Sequence, residues 1–163
     1  MTEAAPQHTR LEGIAQYSDA IDALVAKAER RIRVFDRNLD GLGFNSPKRQ
    51  DLLRAFLLAR RTNRLDILVH DTGYLSRHCP RMLDLLRQFS HGVTIHQTHA
   101  HVQGVYDPFV IVDDAHFVHR FHFDDSRSLL AFDDPQETRT LNDRFDDLWE
   151  ASFPALSAST LGL

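Results

Sequence analysis

V-Y-D-P-F-V-I-V-D-D-A-H-F-V-H-R-F-H-F-D-D-S-R-S-L-L-A-F-D-D, residues 105 to 134, reads as three consecutive short strands. Phe109 to Asp113 is an apolar run closed by aspartates, and Asp114-Ala115 is read as the tight turn after it. From His116 to Phe123 the residues alternate. Phe117, His119, Phe121 and Phe123 fall on one face, and His116, Val118, Arg120 and His122 on the other. Ser128 to Phe132 is a third strand, stopped by Asp133-Asp134-Pro135. An apolar sheet face backed by one carrying His, Arg and His marks where a site lies without naming its ligand.

Upstream of this stretch, helices and strands alternate. Residues 1–15 lack periodicity and are read as a flexible lead-in. Ser18 is read as the cap of a helix, with Ala20, Ile21, Leu24, Val25 and Ala28 at helical spacing. Ile32 to Phe35 is a strand ending at Asp36. The turn-rich R-N-L-D-G-L-G-F-N comes next, with Gly41 and Gly43 expected at positive φ. Ser46-Pro47 starts a helix running to about Arg61. Leu65 to Val69 is a strand followed by His70-Asp71. A helix ends near Phe89, and Gly92 to His96 is a further strand. Thr138 to Ala151 closes the pattern as an amphipathic helix, and residues 154–163 are a tail with no clear element. Strands separated by helices predict a parallel sheet, and the late strands add an antiparallel extension. The fold class is therefore α/β, a mixed sheet flanked by helices, in one domain over residues 16–153. In open sheets of this kind ligands sit beyond the carboxyl ends of the parallel strands, where Asp36, His70, Asp71 and His96 stand.

The composition narrows the function classes. At 163 residues, 42% hydrophobic and 26% charged, the chain is an ordinary globular domain. No apolar run reaches the roughly 20 residues of a membrane span, and no export signal is read, so a cytoplasmic location is the default. Cys79 is the only cysteine, which excludes an intrachain disulfide and a cysteine metal cluster. The net charge of −4 argues against sequence-independent binding to nucleic acid, and nucleic acid is not expected as a partner. Ten histidines are present, and His99-x-His101 and His119-x-x-His122 have spacings that metal sites use. Such spacings arise by chance in a His-rich chain, so no metal and no cofactor is read.

The order of elements, with Y-D-P-F-V-I-V-D-D, F-V-H-R-F-H-F-D, L-L-A-F-D-D-P and R-F-D-D-L-W-E-A-S, resembles one repeat of the phospholipase D-like fold from about Ser18 to Ser152. It is also similar to bacterial phospholipase D-like domains of unknown function that keep F-V-x-V-D and H-R-F-H-F-D. The family signature has a histidine, one residue, a lysine, four residues and an aspartate. Asp113 fits the aspartate, while Tyr106 stands at the histidine position and Pro108 at the lysine position. No lysine occurs after Lys48, so no shift of register restores the pair. In that family the histidine is the nucleophile, and two signature motifs, from two repeats or a dimer, make one site. The resemblance thus implies the fold and leaves a single degenerate repeat without the usual catalytic pair.

The residues support two readings. In the first, the domain is non-catalytic and binds a phosphate- or carboxylate-bearing ligand or a protein partner through Arg120, His122, Tyr106, His96, His70 and Asp36. Arginine supplies a rigid fork of donors and histidine a switchable one. A homodimer formed through the sheet edge and an acyltransferase are candidate partners, the latter supported by no residue directly. In the second reading the chain is a phosphodiesterase or other hydrolase with a rearranged site, using His122 or His96 as nucleophile or base.

Overall fold

The computed structural model describes residues 5–159. One eight-stranded sheet carries the chain, in the order β1-β7-β6-β5-β2-β3-β4-β8. Strands β2 (Arg31–Asp36), β3 (Arg64–Val69) and β4 (Val93–Thr98) are parallel. The hairpin strands β5 (Phe109–Val112), β6 (His116–Arg120) and β7 (Ser128–Phe132) run antiparallel beside β2. This is the mixed sheet that the sequence pattern implies. Two strands lie where that pattern gives none. β1 (Gln7–Leu11) pairs with β7 inside the stretch read as a lead-in, and β8 (Ser152–Leu156) pairs with β4 where the tail begins. Both are edge strands; β1 is solvent-facing except at Leu11, and β8 is part-buried with Phe153 and Pro154 exposed, so neither carries the apolar alternation that announces a strand.

One face of the sheet is covered by α1 (Ile14–Lys27), α2 (Pro47–Ala59), α3 (Gly73–His78) and α4 (Pro80–Gln88). The other is covered by α5 (Pro135–Glu150), which buries Leu141, Phe145 and Leu148 against Phe109, Ile111 and Phe117. α1 begins earlier than a Ser18 cap allows, because Gly13 is its N-cap. Ser18 sits inside the helix and donates from Oγ to Leu42 O at 3.1 Å, tying α1 to the loop after β2. α2 starts at the expected cap, with Ser46 Oγ accepting from Arg49 N at 3.0 Å. The buried Arg49 then bolts α2 to α1 through Asp22 Oδ1 at 2.5 Å and Ser18 O at 3.0 Å.

The β5–β6 turn falls one residue before the expected Asp114-Ala115. Asp113 and Asp114 both take left-handed backbone (φ 55° and 57°), and Ala115 N donates to Val112 O at 3.2 Å. Two central residues at positive φ match the right-handed twist of the flanking strands, and aspartate tolerates that conformation. Strand β6 also ends at Arg120 rather than Phe123. The alternation of aromatics continues past the end of the regular ladder, and the chain instead folds back over residues 121–127, where Phe121 N donates to Arg127 O at 3.4 Å.

Candidate functional site

The carboxyl end of β2 delivers Asp36 to the rim of the sheet, and its carboxylate shapes the loop beyond the strand. Asp36 Oδ2 accepts from Asn38 N at 3.1 Å and from Leu39 N at 2.7 Å. That local closure turns the chain sharply and puts Leu39, fully buried, into left-handed backbone (φ 71°). A leucine there is strained, and the core seat of its side chain holds it in place. Gly41 and Gly43 take the positive φ expected of them (75° and 76°). Arg37, Asn38 and Asp40 are thereby displayed around Asp36.

Arg120, the last residue of β6, approaches from the other side and is only 6% exposed. Its Nε donates to Asp125 O at 3.1 Å and its Nη2 to Phe123 O. The guanidinium lies 5.4 Å from the centre of the Tyr17 ring of α1. Among the described residues it has no carboxylate partner, and its Nη1 makes no hydrogen bond. Asp36, Arg37, Asn38, Asp40, Arg120 and Phe123 enclose a recess of about 200 Å³. That lies below the roughly 300–1,000 Å³ of pockets for drug-sized ligands, so it suits a small headgroup.

Burial pushes the Asp36 carboxyl above the ordinary aspartate range, against the Leu39 and Asn38 amides and the Arg120 and Arg37 guanidiniums. Its second oxygen, Oδ1, is buried and has no hydrogen-bond partner among the described residues. Burial likewise pushes the Tyr17 phenol up, and the neighbouring Asp36 adds to it.

Phe123 is the hub of the wall. Its ring centre lies 6.1 Å from Phe35, 5.7 Å from His70 and 6.3 Å from Tyr106, and Arg37 stacks on it at 4.8 Å. Phe123 N donates to Tyr106 O at 2.7 Å, which draws the loop after β6 under the start of β5. Its position in the F-H-F-D run marks it as apolar, but only the fold reveals that it frames the recess.

Of the six residues singled out in the sequence, Asp36 and Arg120 line the recess. Tyr106 and His122 pack on each other outside it, with ring centres 5.2 Å apart. Arg120 and His122 do not share a strand face, since β6 has ended and His122 lies in the turn, half-exposed. His70 is held inside the wall, with Nδ1 2.6 Å from Thr98 Oγ1 and Nε2 2.8 Å from Val105 O. Burial lowers its proton affinity, consistent with a neutral, structural ring. His96 is committed elsewhere. It stacks on Trp149 at 3.8 Å, and its Nδ1 lies 2.9 Å from Ser152 Oγ. The sequence pattern does not single out Arg37, Asn38, Asp40 or Phe123, although a polar run directly after a strand ending in Asp36 is a usable signal. Asp113 stands at the opposite end of β5, where its carboxylate accepts from Glu29 N and Arg30 N at 2.8 Å and Arg31 N at 3.0 Å. Among the described residues no three His, Cys, Asp or Glu side chains gather as metal ligands. None of the described helices is long and apolar enough to cross a membrane.

A rim of polar groups at the carboxyl ends of β2 and β3, closed by the turn after β6, is the geometry to compare with known proteins. The family model of a domain of unknown function, DUF7931, matches residues 13–161. The chain belongs to this family. No curated protein matches it in sequence. Among solved structures, this DUF7931 domain is similar to Nuc of Salmonella typhimurium, a phospholipase D family member. The TM-score is 0.67 at 14% identity, covering 94% of this chain and all of that one. NucT from Helicobacter pylori gives a TM-score of 0.61 at 13% identity, over 93% of this chain and all of its own. TrmBL2, an archaeal chromatin protein, gives a TM-score of 0.69 at 13% identity; 91% of this chain spans about half (55%) of that protein. These similarities establish a phospholipase D-like fold. They also correct one expectation. The structure of TrmBL2 is described as showing a novel mode of DNA binding, so the net charge of −4 does not set nucleic acid aside as a partner for this scaffold. The physical reason is that polyanion binding responds to the local field of one surface, which a whole-chain sum conceals.

Proposed function

We propose that this is a non-catalytic phospholipase D-like domain whose recess binds a small anionic group, a phosphate or carboxylate. The observation that carries the reading is Arg120. Its guanidinium is buried, two of its nitrogens are fixed by backbone carbonyls, and the third is unpaired beside the recess without a carboxylate partner among the described residues. Buried charges are ordinarily paired, and a guanidinium held rigidly by its neighbours is preorganised for an anionic oxygen. Arg37, half-exposed at the mouth and paired only loosely with Asp124 at 3.6 Å, supplies a second cation.

The non-catalytic reading is supported by what stands where the phospholipase D signature has its reactive pair. Tyr106 is half-exposed and Pro108 has no side-chain donor. Nor does the alternative, a hydrolase using His122 or His96, find support. Asp124 N donates to His122 Nδ1 at 3.0 Å, which leaves the neutral ring's proton on the other nitrogen. His96 is stacked and hydrogen-bonded away from the recess.

Calorimetric titration with methyl phosphate, and separately with a short DNA duplex, tests the binding reading and distinguishes a small ligand from a polyanion. Losing a charge-assisted hydrogen bond of about 1.5–3 kcal/mol weakens affinity about 10- to 100-fold in Arg120→Ala. Equal affinity in wild type and Arg120→Ala removes the site. Hydrolysis of a chromogenic phosphodiester that disappears in His122→Ala restores the enzyme reading.

A further inference from the structure

We propose that the recess takes up its anion together with one proton, which is carried by Asp36. The inference deepens the anion-site reading and rests on it. Its geometric basis is that Asp36 and Arg120 line the same small recess without forming an ion pair. The two N–H donors that Asp36 receives both go to Oδ2, and Oδ1 is buried with no partner among the described residues. The lining contains two guanidiniums, Arg37 and Arg120, and two carboxylates, Asp36 and Asp40, so its charges already cancel. An anion added beside Arg120 draws on the same cations that favour ionised Asp36. In a poorly hydrated recess three anionic groups against two cations are unfavourable, and a proton on the most buried of them relieves the excess. Asp36 is that group at 5% exposed, whereas Asp40 is in solvent. A protonated carboxyl also turns Oδ1 from an orphaned acceptor into a position able to hold a hydrogen.

The charged and titratable groups facing Asp36 are few. Tyr17 comes from α1, Arg120 from β6, His70 from the end of β3, and Arg37 and Asp40 from its own loop. Tyr17 is buried and held neutral, and His70 has both ring nitrogens engaged. Burial already lifts the proton affinity of Asp36 in the free protein, which shortens the step that the anion must complete. The coupling is reciprocal: whatever the anion adds to proton affinity, the proton adds to anion affinity.

Sulfate is the probe, because it does not titrate across roughly pH 4 to pH 9, the range in which a raised carboxyl would. The full chain is titrated with sulfate at fixed ionic strength across that range, in buffers of different ionisation enthalpy, so that protons taken up per sulfate are read directly. For wild type we expect uptake approaching one proton, and affinity falling by up to about tenfold per pH unit above the titration of Asp36. Asp36→Asn keeps an oxygen for the Asn38 and Leu39 amides. It is expected to bind sulfate without proton uptake and with flat pH dependence. Uptake in wild type is measured independently of how that variant folds. Sulfate binding that requires Arg120 but moves no proton overturns this inference and leaves the anion site standing. No sulfate binding, or binding unchanged in Arg120→Ala, overturns both.

Discussion

Asp113→Ala perturbs a single carboxylate that organises the far end of the sheet. In the native chain that carboxylate accepts three backbone N–H groups: Glu29 at 2.8 Å on Oδ2, and Arg30 at 2.8 Å and Arg31 at 3.0 Å on Oδ1. It thereby fixes the entry to β2 against the β5–β6 turn. Each such bond contributes about 0.5–1.5 kcal/mol net, and the freed amides lie near solvent and rehydrate, so the loss is about 2–3 kcal/mol. For a chain of this length that lowers the melting temperature by about 5–10 °C. Two companions separate the causes. Asp113→Asn keeps an acceptor for Arg30 and Arg31 but presents an NH₂ to the Glu29 amide, so it falls between wild type and alanine. Asp113→Gly loses the same bonds as alanine but relaxes the left-handed backbone (φ 55°). It is expected to be more stable than alanine by about 1 kcal/mol. Thermal denaturation followed by circular dichroism reads all three. An alanine variant that melts with wild type refutes the latch, and equal melting of alanine and glycine refutes the backbone argument. Because this end of β5 is remote from the recess, sulfate binding by Asp113→Asn is expected to match wild type.

Asp107 is salt-bridged to Arg144 and lies 2.8 Å from His119. Burial pushes its carboxyl up, but the hydrogen bonds from Arg144 and His119 outweigh this and hold it below the usual range. A depressed native value stabilises the fold above the unfolded value of roughly 4 and loses that contribution as pH falls through the native one. Asp107→Asn therefore melts below wild type at neutral pH, and the gap narrows in melts taken progressively below about pH 4. Burial pushes the Cys79 thiol up to about 11, so Ellman's reagent is expected to label it only on unfolding; rapid labelling of native protein contradicts this. Phe123→Ala removes the ring on which Phe35, His70, Tyr106 and Arg37 converge. It is expected to cost about 3 kcal/mol in denaturant titrations and to weaken anion binding, since Phe123 O holds Arg120. Unchanged binding would free the recess from that wall.

The sheet's central strands, the Ser46 cap and the positive φ of Gly41 and Gly43 are legible in the chain, because each rests on local chemistry: apolar alternation, a hydroxyl acceptor, a missing side chain. The edge strands at Gln7–Leu11 and Ser152–Leu156 are not, since pairing with β7 and β4 defines them and no apolar face announces them. The candidate site divides in the same way. Asp36 and Arg120 stand out as charges at strand ends, and the sequence by itself determined that they exist on an α/β scaffold of phospholipase D-like order. Only tertiary structure decided that His122 leaves the strand, that His70 and His96 are engaged in packing, and that Phe123 turns inward to frame the recess. The reason is physical. The alternation that predicts a strand continues through residue 123, but the regular ladder ends at Arg120, where the guanidinium captures the carbonyls of its own returning loop.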